Sequence, residues 1–262
     1  MPNVRLRPIA LPTEHGGWAL VGAPILLGLW VAPSVSGACL GVASLAVFLA
    51  RQPAGLALGD WRRGRRYPRT AWAAGFALGY VLVALSAFAC AWVTARGAFW
   101  LPLALAAPLV AVQAAHDLAS RGRALPAQVC GAAAGGAIAA AILMAAGWAF
   151  SRALVPWTLL ALQSVAAVAY VGARLRLARG IAAARWPSVV AHLVALVAAG
   201  ALAWLGLAPR LGVLVFAVLA ARAFVGLLPR SLTTRTPVVG VQEVGYSLFT
   251  VAGLALGLRW GW

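Results

Sequence analysis

The chain has 262 residues, of which 64% are hydrophobic and only 10% charged, and its mean hydropathy is +0.94. A water-soluble domain carries about 45–50% apolar and about 25% charged residues, so this composition excludes one and points to an integral membrane protein. The formal net charge of +17 comes from 21 basic residues, all arginine, against four acids; a basic membrane face facing anionic headgroups accounts for it, and nucleic acid is not expected as a partner.

A helical crossing needs about 20 apolar residues, because the hydrocarbon core is about 30 Å thick and every backbone polar group must be satisfied within the segment. Nine candidate spans follow in chain order, at about 16–32, 37–58, 70–94, 98–116, 127–149, 154–173, 187–207, 210–228 and 239–259. The expected fold is therefore an all-α integral membrane bundle, one transmembrane domain over 1–262 with a cytoplasmic segment 1–15. Pro33 and Gly37, with Ser34 and Ser36 between, break the first apolar run into two helices. Residues 1–14 lack the layout of a cleaved leader, since Pro8, Pro12 and Glu14-His15 precede any apolar core.

Short cytoplasmic loops retain positive charge. With the N-terminus inside, seventeen arginines fall on inner segments, and Arg96, Arg152, Arg210 and Arg259 on outer ones. That alternation predicts an N-inside, C-outside topology.

The four acids, Glu14, Asp60, Asp117 and Glu243, and the three histidines, His15, His116 and His192, all fall at or near inner helix ends. Thr13 is placed to cap the first helix, and Glu14 to face its positive dipole end beside His15. Asp60 sits among the arginines after the second span, where it balances charge or belongs to a polyanion site with Arg51. Gln113, Asp117 and Arg121 follow each other at intervals of four, so a helix would put amide, carboxylate and guanidinium on one face, either as a structural ion pair at a helix end or, with His116, as a proton relay. Arg174 and Arg176 close the sixth span. Arg222, Gln242 and Glu243 stand near the inner ends of the last two, where Glu243 requires an arginine or histidine partner. The catalytic candidates are thus Glu14, His15, Asp60, His116 and Asp117, and the substrate-binding candidates Arg51, Gln113, Arg121, Arg174, Arg176, Arg222, Gln242 and Glu243. A bundle could gather them around one inward-facing cationic cavity.

Cys39, Cys90 and Cys130 lack metal or haem-attachment spacing and read as small apolar residues. Gly131-x-x-x-Gly135 and Gly253-x-x-x-Gly257 read as close-packing sites between helices of the same chain.

Pro12-Thr13-Glu14-His15-Gly16-Gly17-Trp18-Ala19, with Phe48-Leu49-Ala50-Arg51-Gln52-Pro53 and the arginine-rich loop after it, resembles the YwiC-like family of multi-pass bacterial membrane proteins. That resemblance implies the bacterial cytoplasmic (inner) membrane and brings no established activity with it. The nine-span architecture, with polar inner loops after spans two and six, also resembles UbiA-type intramembrane prenyltransferases, whose Asp-rich motifs bind magnesium and an isoprenoid diphosphate. Here Asp60 alone stands after span two, and no acid lies between Arg174 and Trp186. Magnesium against phosphate normally needs two or more carboxylates, so the arginines would hold the anion without metal. The partners expected are the lipid bilayer and an isoprenoid or phospholipid ligand. A small-molecule or proton-coupled transporter is the alternative class. A haem or quinone subunit is a third, which the unrelated spacing of the three histidines disfavours.

Overall fold

The structure is a computed structural model that describes residues 5–12, 15–65, 67–119, 121–122, 124–232 and 236–261. Among these every regular element is a helix. A short α1 (Arg7–Ala10) is followed by α2 (His15–Val31), α3 (Val35–Arg62), α4 (Pro68–Thr94), α5 (Trp100–Leu118), α6 (Leu125–Gly135), α7 (Ala137–Ala145), α8 (Phe150–Ala178), α9 (Trp186–Trp204), α10 (Arg210–Gly226) and α11 (Thr236–Trp260). Seven described stretches are long and apolar enough to cross a membrane: α3, α4, α5, α6 with α7 (Leu125–Ala145), α8, α9 and α11. Two others, α2 and α10, have 17 residues each. The chain is a multi-pass membrane protein.

Each expected span meets a helical stretch, and the differences are at the ends. The turn at 32–34 separates α2 from α3, and Ser34 caps α3 by accepting a hydrogen bond from the Gly37 amide at 3.0 Å. α3 and α8, of 28 and 29 residues, are longer than the spans read from hydropathy. At about 1.5 Å per residue both exceed the hydrocarbon thickness. Their polar C-terminal turns continue the helix because backbone bonding does not depend on side-chain polarity.

The fifth span is interrupted at Gly136. There the indole of Trp157 on α8 donates to the Ala133 carbonyl at 2.9 Å, taking the acceptor that the Ala137 amide would use in an unbroken helix. An inserted side chain of this kind bends the ladder. A Cβ on Gly136 would also sit 2.7 Å from the Trp157 ring, so only glycine allows the contact.

α7 is the centre of the molecule. Ala137 and every residue from Ala139 to Ala145 are buried, because small side chains let α2, α3, α5 and α8 approach together. Ile142 fills the space left by Gly28 of α2 and Gly37 of α3. One core cluster joins Leu27, Leu159, Phe216, Val251 and Leu254 across α2, α8, α10 and α11. Outward, α4 and α9 expose large apolar residues, Val93 at 80% and Val197 at 70% among them, as lipid-facing helices do. The expected intramolecular role of the paired glycines holds at Gly131, which meets the Gln113 amide, at Gly135, against the Leu20 carbonyl, and at Gly253, against Val215.

The helix ends sort into two sets. Arg259 donates to the Trp30 carbonyl, and Ser36 and the Arg96 amide both reach the Ala145 carbonyl. The ends of α2, α4, α7 and α11 and the start of α3 therefore share one end of the bundle. The opposite, arginine-rich end holds the last turns of α3 and α5, joined where Arg62 donates to the Leu118 carbonyl at 2.8 Å. Ile9 of α1 packs on Ala57 and Ala73 near the same end.

Candidate functional site

At the arginine-rich end the polar candidates divide into two groups rather than one. Among the described residues, no hydrogen bond or ion pair joins them.

The first group lies on α3, α4 and α5. Asp60, 1% exposed, accepts from Arg69 at 3.3 and 3.0 Å and from the Thr70 hydroxyl at 2.8 Å. Arg69 and Thr70 open α4, so this cluster locks the α3–α4 hairpin. Neither residue stood out in the sequence, although Thr70 also returns to the Tyr67 amide at 3.0 Å as a helix-start device. Asp117 receives a bidentate pair from Arg51 at 2.9 and 2.8 Å. The expected alignment of Asp117 with Arg121 does not form: α5 stops at Leu118, and Arg121 stands beyond it with its amide on the His116 carbonyl. Gln113 does share the α5 face, but its amide lies against Gly131 of α6. The ring Nδ1 of His116 sits 2.9 Å from the Val112 carbonyl one turn back. Thr13, Glu14, Arg66, Arg123 and Arg235 lie outside the described residues, as does the side chain of His15.

The two stretches that carry the family resemblance meet in this half. Trp18 stands edge-on to Phe48 with centroids 5.3 Å apart. A Cβ on Gly17 would lie 2.9 Å from the Phe48 ring, so the glycine beside the tryptophan lets α2 close on α3. Gln52 reaches back to the Pro8 carbonyl at 3.4 Å.

The second group is more deeply buried and spans α8 to α11. Arg222 pairs with Glu243, their side chains 7% and 16% exposed; Glu243 thus has the arginine partner its position requires. The Arg222 guanidinium also lies over the rings of Tyr170 and Tyr246, at 4.2 and 4.8 Å from the centroids. Its Nη2 meets His192 Nε2 at 3.3 Å, and His192 Nδ1 meets the Ser188 carbonyl at 2.8 Å. A carbonyl only accepts, so the Nδ1–H tautomer satisfies both contacts, with Nε2 accepting from Arg222.

Arg174, 6% exposed, donates to Tyr170 Oη at 2.6 Å, to Gln242 Oε1 at 3.3 Å and to the Ser231 carbonyl at 3.2 Å. All three partners are neutral. Asp60, Asp117 and Glu243, the described acids, are each engaged by another arginine, so among the described residues Arg174 has no counter-charge. Two further atoms here are buried without a partner among the described residues, Arg222 Nε and Ser188 Oγ. Arg176, two residues on, points away and donates to the Ala182 carbonyl at 3.2 Å.

Sequence reasoning singled out Arg174, Arg222, Gln242 and Glu243 but missed Tyr170, Tyr246 and Ser188. Spacing held the clue: Tyr170 is one turn before Arg174, Ser188 one turn before His192, and Tyr246 three residues after Glu243. Among the described residues, no three histidine, cysteine or acidic side chains converge as a metal site would need.

Residues 11–143 match the family model described as YwiC-like protein, which is half of the chain. The protein belongs to the YwiC-like family. None of the curated proteins matches it. Within this YwiC-like chain the matched part covers α2 to α6, most of α7 and the Trp18–Phe48 and Arg51–Asp117 contacts, whereas the Arg174–Arg222 cluster lies beyond it.

Proposed function

We propose that this YwiC-like protein binds an amphipathic anion, an isoprenoid phosphate or a phospholipid headgroup, at the arginine-rich end of the α8–α11 group. The observation that carries this reading is Arg174, nearly buried and, among the described residues, held only by neutral partners. A guanidinium taken out of water without a counter-charge is costly. A phosphate accepting from Arg174 supplies that charge, and guanidinium geometry suits a bidentate contact. Arg222, which shares the Tyr170 ring with Arg174, and Ser188 each keep a buried donor, Nε and Oγ, without a partner among the described residues. The apolar part of the ligand would lie among the lipid-facing residues.

This reading also takes nine crossings, with the N-terminus inside and the C-terminus outside, in the bacterial inner membrane. It is supported by the alternation of the arginines and by the sorting of helix ends into two sets. A metal-held diphosphate at Asp60, as in the UbiA-type enzymes, is less well supported, since Arg69 and Thr70 already occupy that carboxylate.

Native mass spectrometry of the detergent-purified protein, titrated with undecaprenyl phosphate and with phosphatidylglycerol, tests the reading. Saturable binding that Arg174→Gln weakens tenfold or more is the expected result. Equal binding to wild type and Arg174→Gln would sink it.

A further inference from the structure

We infer that Cys39 and Cys90 are a redox-active pair that closes into a disulfide between α3 and α4. Their sulfurs lie 3.0 Å apart although the residues are 51 positions apart in the chain. Both thiols are free and partly buried. A disulfide bond is about 2.05 Å long, so closure needs an approach of only about 1 Å. Among the described residues no comparable contact involves Cys130, which sits on α6.

The location gives the pair a mechanical role. Cys39 is about one turn into α3 and Cys90 about one turn before the end of α4. At the same end of the bundle, Ser34, Ser36, Thr94 and Arg96 line a recess of about 440 Å³ together with Ala145 and Ala146. Its walls are thus the start of α3 and the segment that ends α4. The cross-link would tie these two walls to each other covalently, whereas in the reduced protein they are held by packing and by the hydrogen bonds that Ser36 and the Arg96 amide both make to the Ala145 carbonyl. The inference stands apart from the anion reading, which concerns the opposite end of the molecule.

The oxidant is of the disulfide class. The thiolate of one cysteine attacks a sulfur of the oxidant, forming a mixed disulfide and releasing half of the oxidant as a thiolate. The second cysteine thiolate then attacks the first cysteine's sulfur and expels the other half. The two thiol protons are lost, the cysteines are oxidised by two electrons, and the oxidant is reduced to two thiols.

The test treats the reduced, full-length protein in detergent with dithiodipyridine, alkylates the remaining thiols, and maps the peptides by mass spectrometry. The expected result is that the Cys39 and Cys90 peptides are recovered joined, that Cys130 is recovered singly, and that dithiothreitol restores both thiols. In Cys39→Ser the cross-link is lost and Cys90 keeps a pyridyl adduct, showing that the reagent reaches it. Separate adducts on Cys39 and Cys90 in the wild type would overturn the inference, as would a bond from either to Cys130. Failure of both thiols to react also overturns it, because a pair that no oxidant reaches does not cycle.

Discussion

At the residue scale, burial decides which ion pairs matter. Arg222 and Glu243 are nearly out of water, so removing one partner strands the other charge. Glu243→Gln is expected to cost about 3–5 kcal/mol in a detergent unfolding titration, and Arg222→Met with Glu243→Met should recover most of that loss. Arg51 and Asp117 make an equally well-formed bidentate contact, but their side chains are 44% and 28% exposed, and Arg51→Gln should cost no more than about 1 kcal/mol. Equal losses at the two pairs would refute the burial argument. Tyr170 is held on one side by Gly226, where an added Cβ would run into its hydroxyl. Gly226→Ala is expected to destabilise by about 1–3 kcal/mol, and combining it with Tyr170→Phe should be less than additive, since losing the hydroxyl removes the nearest clash while the ring carbon that bore it still lies 2.9 Å from the added Cβ.

At the scale of elements, hydropathy located the helices but not their polar ends. A run such as Arg174-Leu175-Arg176-Leu177-Ala178 leaves an apolar window while it stays in the helix, so α8 runs five residues past the expected span at 154–173. The break at Gly136 was equally hidden, because its cause is Trp157 on another helix. Trp157→Phe removes the donor while keeping most of the ring. It is expected to cost about 1 kcal/mol and to slow hydrogen exchange at the Ala137 amide, which regains its usual acceptor. Unchanged exchange there would mean that Gly136 alone makes the bend. The supposed Asp117–Arg121 face failed for a related reason, since periodicity cannot say that α5 stops at Leu118 or that Arg51 on α3 claims the carboxylate.

At the scale of the whole molecule, the two-ended distribution of charge and the antiparallel order of helices describe one arrangement. A reporter active only outside the cytoplasm, fused after residue 262, should be active, and the same reporter placed in the 179–185 connection should be silent. The reverse pattern would invert the bundle, and equal activity at both sites would remove an odd number of crossings between them.

Composition and hydropathy alone determined that the chain is a helical membrane bundle, where its helices lie, and which end carries the arginines. These properties follow from the lipid solvent, which acts on each segment separately and is legible residue by residue. The grouping of the polar side chains belonged to tertiary structure. Of the acids expected around a single cavity, the three described ones divide between a hairpin lock at Asp60, an exposed pair at Asp117 and a buried network at Arg222. Which arginine meets which carboxylate depends on helix packing and on where each helix stops. Helix packing likewise brings Cys39 of α3 to Cys90 of α4, so neither the neutral partners of Arg174 nor the thiol pair is visible until the helices are assembled.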